Sequence, residues 1–138
     1  MIKQRRRKKV KVDIRKWYRY HFFGTAELMI PKGNTIINTT IANISMSGIG
    51  LYSDKKIDKG EKVKLSISFI DYRGKTTEEF VEGKVDWLKK FKNIYLIGII
   101  FDEELNIQRH PKLLKHLIWL IDTFQWPQPY NDKRIAIV

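Results

Sequence analysis

Two arginines, Arg15 and Arg19, stand four residues apart on the flank of a basic segment, and an Asn43-Ile44-Ser45-Met46-Ser47-Gly48 run follows between two apolar patterns. Arginine's planar fork is always charged and can grip a phosphate, or the O6/N7 edge of guanine, through two hydrogen bonds at once. Lysine would supply the charge without the fork. Trp17 and Tyr18 lie between the arginines and offer π faces on which a base could stack. They could equally be apolar anchors that seat the segment on the domain. In an extended chain Asn43 and Ser45 share one face and Ile44 takes the other. Their neutral donors and acceptors suit a guanine edge, a ribose hydroxyl or a phosphate oxygen, and they also suit a turn. Gly48 falls where the chain must turn tightly or let a ligand approach the backbone, which a Cβ would obstruct.

Catalytic chemistry has less to work with. The three histidines are His21, His110 and His116. The last two are six apart, which on a helix puts them on different faces rather than together as ligands. Glu78-Glu79 and Glu103-Glu104 are adjacent pairs, whose side chains diverge in an extended chain. No Gly-rich phosphate loop opens a helix and no serine sits in a nucleophile elbow. With no cysteine, disulfides, thiolate metal sites and cysteine nucleophiles are excluded, and a reducing compartment is the natural expectation. The chain is therefore expected not to be an enzyme and to need no metal.

The net charge of +12 is unevenly placed: residues 1–19 hold ten Lys/Arg against Asp13 alone, a net +9. A nearly balanced body with a cationic arm implies a polyanionic partner, whether a nucleotide, a nucleic acid or an acidic membrane. A solubilising tail is the plainer explanation. The longest apolar run, Ile94 to Phe101, is strand-sized, and the basic N-terminus lacks the apolar core of a signal peptide. A soluble, cytoplasmic protein without an integral membrane segment is expected.

These residues need elements to position them. Residues 1–12 read as a flexible basic arm, 13–126 as one domain, and 127–138 as a tail of undetermined role. Phe22, Gly24, Ala26, Leu28 and Ile30 alternate against His21, Phe23, Thr25, Glu27 and Met29, and Pro31-Lys32-Gly33-Asn34 ends the run as a turn. Ile36 to Ser45 is extended, and Ser47-Gly48 reverses it into Ile49–Ser53. Val63, Leu65, Ile67 and Phe69 form the cleanest alternation; Phe80 to Leu88 follows, then a Lys89–Asn93 turn and Tyr95 to Phe101. Six short strands with Gly-bearing turns predict an all-β fold, a six-stranded antiparallel barrel closed against edge exposure. Leu113, Leu114, Leu117, Ile118, Ile121 and Phe124 recur at helical spacing. They predict one amphipathic C-terminal helix over about 110–125, started by Pro111, with its apolar stripe on the barrel.

Arg15-x-x-x-Arg19 followed by Asn43-x-Ser45-x-x-Gly48 resembles the two-part signature of the PilZ domain, a bacterial receptor for cyclic di-GMP. Ser47-Gly48-Ile49-Gly50-Leu51, Val85-Asp86-Trp87 and Tyr95 to Phe101 resemble that family's glycine turn and closing strands. The resemblance covers roughly residues 15–103. It implies a six-stranded barrel with a C-terminal helix, with Arg15 and Arg19 holding phosphates and guanines and Asn43, Ser45 and Gly48 completing the site. Many members carry Asp where this chain has Asn43, and Asn forfeits a charge-assisted bond to guanine N1–H and N2–H₂. Ile14 stands where an Arg could grip a second stacked nucleotide, which favours one cyclic di-GMP per protein. The implied function is a stand-alone cyclic di-GMP receptor whose arm orders on binding and which signals to an unidentified effector in trans. Motility, exopolysaccharide or pilus assembly are the output classes the resemblance implies. Two alternatives stand beside it: a PilZ-like adaptor without nucleotide binding, and a small barrel that takes single-stranded nucleic acid through the arm.

Overall fold

The structure, a computed structural model, describes residues 20–125. Seven antiparallel strands run in chain order: β1 (Tyr20–His21), β2 (Gly24–Ile30), β3 (Thr35–Ile44), β4 (Gly48–Ser53), β5 (Lys62–Ile70), β6 (Thr76–Phe91) and β7 (Ile94–Phe101). Their lateral order is β3-β2-β5-β6-β7-β4, and β4 pairs back onto β3. That last pairing closes a six-stranded barrel, as the alternation predicts, and leaves no long open edge. β1 is a two-residue addition on the β3 edge, with Tyr20 opposite Ile44 and His21 opposite Asn43.

The barrel interior is filled by the period-two residues. Leu28, Ile44, Ile49, Leu51, Leu65, Ile67, Ile97 and Ile99 are fully buried, and their outward neighbours are polar, glycine or partly covered. The alternation does not run unbroken from Tyr20. The chain leaves the ladder at Phe22-Phe23, so that Phe22 turns inward against Phe69 with ring centroids 5.2 Å apart, while Phe23 is 93% exposed.

β6 is longer than its apolar run suggests. It extends through Lys89, Lys90 and Phe91, which pair with Leu96, Tyr95 and Ile94, so only Lys92-Asn93 remain as the turn rather than Lys89–Asn93. Charged residues continue a strand when the partner strand supplies the ladder, and no single-sequence pattern reveals that. A register shift between Val85 and Trp87 marks a bulge at Asp86, which re-aims Trp87 to the outer face.

The C-terminal helix is present as α1 (Pro111–Leu120), continued by a π-helical turn over Ile121–Gln125. It closes the barrel end that carries the β5–β6 turn. Its buried residues are Leu113, His116 and Leu117, whereas Ile118, expected in the apolar stripe, is 47% exposed. His116 takes the inward place because Phe22 and Phe69 offer it aromatic walls at 5.3 and 5.1 Å. His110 and His116 both end up buried, and His110 spends its Nδ1 accepting the Asn106 amide. Residues 1–12 and 127–138, the expected arm and tail, lie outside the described residues.

Candidate functional site

Asn43, Ser45 and Gly48 sit where β3 turns into β4, and each has a different task. Ile44 points into the core with no exposure, so Asn43 faces outward, as period two requires. Ser45 is buried: its Oγ accepts the amides of Ser47 and Gly48 at 3.2 Å each, and its own amide donates to the Gly48 carbonyl at 2.9 Å. The turn is then stitched to the chain beyond it, because Phe101 donates to the Ser47 carbonyl and Leu105 to that of Met46, both at 2.9 Å. Of the two roles the sequence allows Ser45, this geometry fills the turn-building one.

Gly48 is required for neither a left-handed turn nor open space. A Cβ there would stand 2.6 Å from the Ile99 carbonyl oxygen of β7, closer than the backbone can accept. Close strand packing is thus the reason for this glycine.

Asn43 is half-buried and pairs across the ladder with Gly50, which pairs with Gly98, which pairs with Trp87. One row of residues thus crosses β3, β4, β7 and β6 on the outside of the barrel, and the backbone of β1 pairs onto its Asn43 end. The two glycines in its middle are covered from the sides. Asn43 Oδ1 lies 2.9 Å from the place of a Cβ on Gly50, and the Trp87 indole occupies the place of one on Gly98. The result is a packed seam in which an amide covers one buried glycine and an indole covers the other. The motif spacing finds Asn43 but does not assign Gly50, Gly98 and Trp87 to its row. The signal was available, since a glycine inside an apolar strand marks close approach of another group.

Arg15 and Arg19, with Ile14, Trp17 and Tyr18, lie outside the described residues. The chain that carries them enters the barrel at Tyr20, on the β3 edge beside Asn43. Among the described residues no group of three or more His, Cys, Asp or Glu could hold a metal ion, and no helix is long and apolar enough to cross a membrane. Glu78 and Glu79 do diverge: Glu78 accepts from Ser66 on the outer wall, while Glu79 reaches α1.

The described residues thus form a closed six-stranded barrel, plugged at one end by a helix and bearing an Asn-x-Ser-x-x-Gly turn on its wall. The PilZ domain profile matches residues 13–119, and the chain belongs to the PilZ family, whose domains are receptors and adaptors. Solved structures share the fold at low identity. The Bacillus subtilis inhibitor of motility MotI/DgrA superposes with a TM-score of 0.64 at 15% identity, over 82% of this chain and 54% of that one. The chain thus spans about half the length of that protein. The PilZ domain of Escherichia coli YcgR, solved with cyclic di-GMP, gives 0.53 at 9% identity, over 83% and 99%. The PilZ domain of CeSA from a cellulose-synthesizing bacterium gives 0.51 at 14%, over 75% and 97%. By sequence, no curated protein matches the chain.

Proposed function

We propose that the protein is a cyclic di-GMP receptor that passes ligand occupancy to a partner protein. The observation that carries this is the pairing of His21 with Asn43. It brings the chain that follows Arg15-x-x-x-Arg19 to the barrel beside the Asn43 amide. Family membership supports the ligand class, and YcgR, a structural neighbour, has been solved in complex with cyclic di-GMP. In this reading Arg15 and Arg19 grip phosphates and guanine edges from the entering segment. Asn43 meets a base edge, Gly50 seats its amide close to the sheet, and Trp87, lying over Gly98, gives the row an aromatic end. Ser45 and Gly48 act one step back, by fixing the turn that aims Asn43. Trp17 and Tyr18 stack on the ligand or anchor the segment, and Ile14 leaves room for a single dinucleotide. Closing the arginine segment over the ligand changes the surface beside β3, and that surface is what an effector reads.

Isothermal calorimetry with cyclic di-GMP tests this. Arg15→Ala and Arg19→Ala should each cost about 1.5–3 kcal/mol, the scale of a hydrogen bond to a charged group, hence roughly ten- to a hundredfold in affinity. Titrating GTP and an oligonucleotide at two salt concentrations completes the test. Wild type and Arg15→Ala binding alike, or only the oligonucleotide binding with a salt slope spread over Arg5–Lys11, overturns the assignment.

A further inference from the structure

Charge is segregated along the barrel axis. The β2–β3 turn at 31–34, the loop at 54–61 and the tip of the β6–β7 hairpin all lie at the end remote from α1. That end carries Lys32, Lys55, Lys56, Lys59, Lys89, Lys90 and Lys92 against Asp54, Asp58 and Glu61, a net +4. The helix end carries Arg73, Lys75, Arg109, Lys112 and Lys115 against Asp71, Glu78, Glu79, Asp102, Glu103, Glu104 and Asp122, a net −2.

The cationic end also exposes apolar side chains at the tip of the β6–β7 hairpin. Phe91 is 71% and Ile94 47% exposed, and the two pair directly across the hairpin one step before the turn. Lys89, Lys90 and Lys92 flank them, with no acid between Trp87 and Phe101. Lys92 holds a φ of 58°, a left-handed conformation that suits Asn34 (φ 53°) in the β2–β3 turn but not a lysine. A turn selected for geometry alone would carry Gly or Asn there.

We propose that this hairpin tip is a membrane-contact surface: Phe91 and Ile94 enter the headgroup boundary of an anionic bilayer while the surrounding lysines meet lipid phosphates. A convex apolar tip fits a deformable interface without a matching cleft, and lysine stems can lie along apolar surface with the ammonium in the headgroup layer. Among the described residues, all seven cations of that end are lysine and none is arginine. Point charges suit the diffuse field of a leaflet better than the forked recognition of a nucleic acid. The proposal does not depend on nucleotide binding.

The test uses the full chain, which has no cysteine. An environment-sensitive dye is placed at Asn93→Cys, in the turn, and separately at Ile107→Cys, at the helix end, and each protein is mixed with vesicles without nucleotide. With phosphatidylglycerol–phosphatidylcholine vesicles the dye at 93 should shift to the blue and the dye at 107 should not; pure phosphatidylcholine should shift neither. Lys89→Gln, Lys90→Gln and Lys92→Gln together should lower vesicle partitioning about a hundredfold at low salt, at about fivefold per lysine. Phe91→Ser should abolish the shift at 93. Sedimentation with the vesicles but no shift at 93 would assign membrane binding to the basic N-terminal segment and overturn the proposal. So would a triple variant that loses an oligonucleotide while keeping its vesicle affinity.

Discussion

Asn43 rests its amide over the bare Cα of Gly50, with Oδ1 2.9 Å from where a Cβ would stand. The two residues belong to adjacent strands, so a substitution at one repositions the other without touching the core. Gly50→Ala should push the Asn43 side chain aside at little cost in stability, because the obstructed atoms end a flexible side chain rather than belong to backbone. If Asn43 meets the ligand, the lost hydrogen bond is worth about 0.5–1.5 kcal/mol, a two- to tenfold weakening of cyclic di-GMP binding. Calorimetry alongside thermal melting checks both halves. Unchanged affinity with unchanged stability would remove Asn43 from the ligand site.

Gly48→Ala behaves oppositely. Its Cβ would meet the Ile99 carbonyl oxygen at 2.6 Å, and a backbone atom held in the β4–β7 ladder cannot step aside. The expected outcome is a loss of about 1–3 kcal/mol in denaturant unfolding, from overpacking. Ligand affinity should fall only as far as the fold does. A variant of native stability that no longer binds would instead make Gly48 a direct contact.

These two glycines show what could be read from the chain and what could not. The alternation in 63–69 and 97–101 repeats every second residue whatever the neighbours are, so the strands and the inward set were legible. So was the helix. The motif reading placed Asn43 on the outer face correctly, yet it could not tell a ligand-facing glycine from one squeezed by a neighbouring strand. That distinction depends on Ile99, which is 51 positions away in the chain. His116 replacing Ile118 on the buried face of α1 has the same origin. The partners that decide it, Phe22 and Phe69, come from two different strands.

Glu79 provides another long-range decision. α1 begins with Pro111, which has no amide to cap, and His110 contributes no side-chain cap. The next two amides, of Lys112 and Leu113, donate to Glu79 Oε2 at 3.2 Å and Oε1 at 2.7 Å. A carboxylate from β6 therefore caps the helix and fixes it to the barrel, with the helix dipole adding to the attraction. Glu79→Ala should destabilise the fold by about 1–3 kcal/mol, since buried amides lose a charged acceptor. Glu79→Gln, which keeps one acceptor, should recover part of this. Denaturant melts of both variants measure it; equal, negligible effects would mean that water caps the helix as well.

The pH dependence of stability has two separable sources at the plugged end of the barrel. Burial holds the His116 imidazole below its ordinary pKa of 6.5, against the opposing pull of the Asp71 carboxylate, and its Nδ1 has no hydrogen-bond partner among the described residues. Asp71 is itself held below the ordinary 3.8, chiefly by the Lys75 amide and then, against a desolvation penalty, by Arg73. For His116 the unfolded chain takes up a proton near 6.5 that the folded chain refuses. Its contribution is therefore complete above that pH and declines as pH falls through the mildly acidic range. For Asp71 the contribution is complete above about 3.8 and is lost only as pH drops through its lower folded value. His116→Phe fills the same aromatic niche without a titrating nitrogen, so it should flatten the melting temperature below pH 6.5 while leaving the steeper loss in strong acid. Asp71→Asn should do the reverse. Calorimetric melts from pH 3 to 8 separate the two, and a His116→Phe profile that still slopes like wild type between 5 and 6.5 would assign the mildly acidic loss to another group.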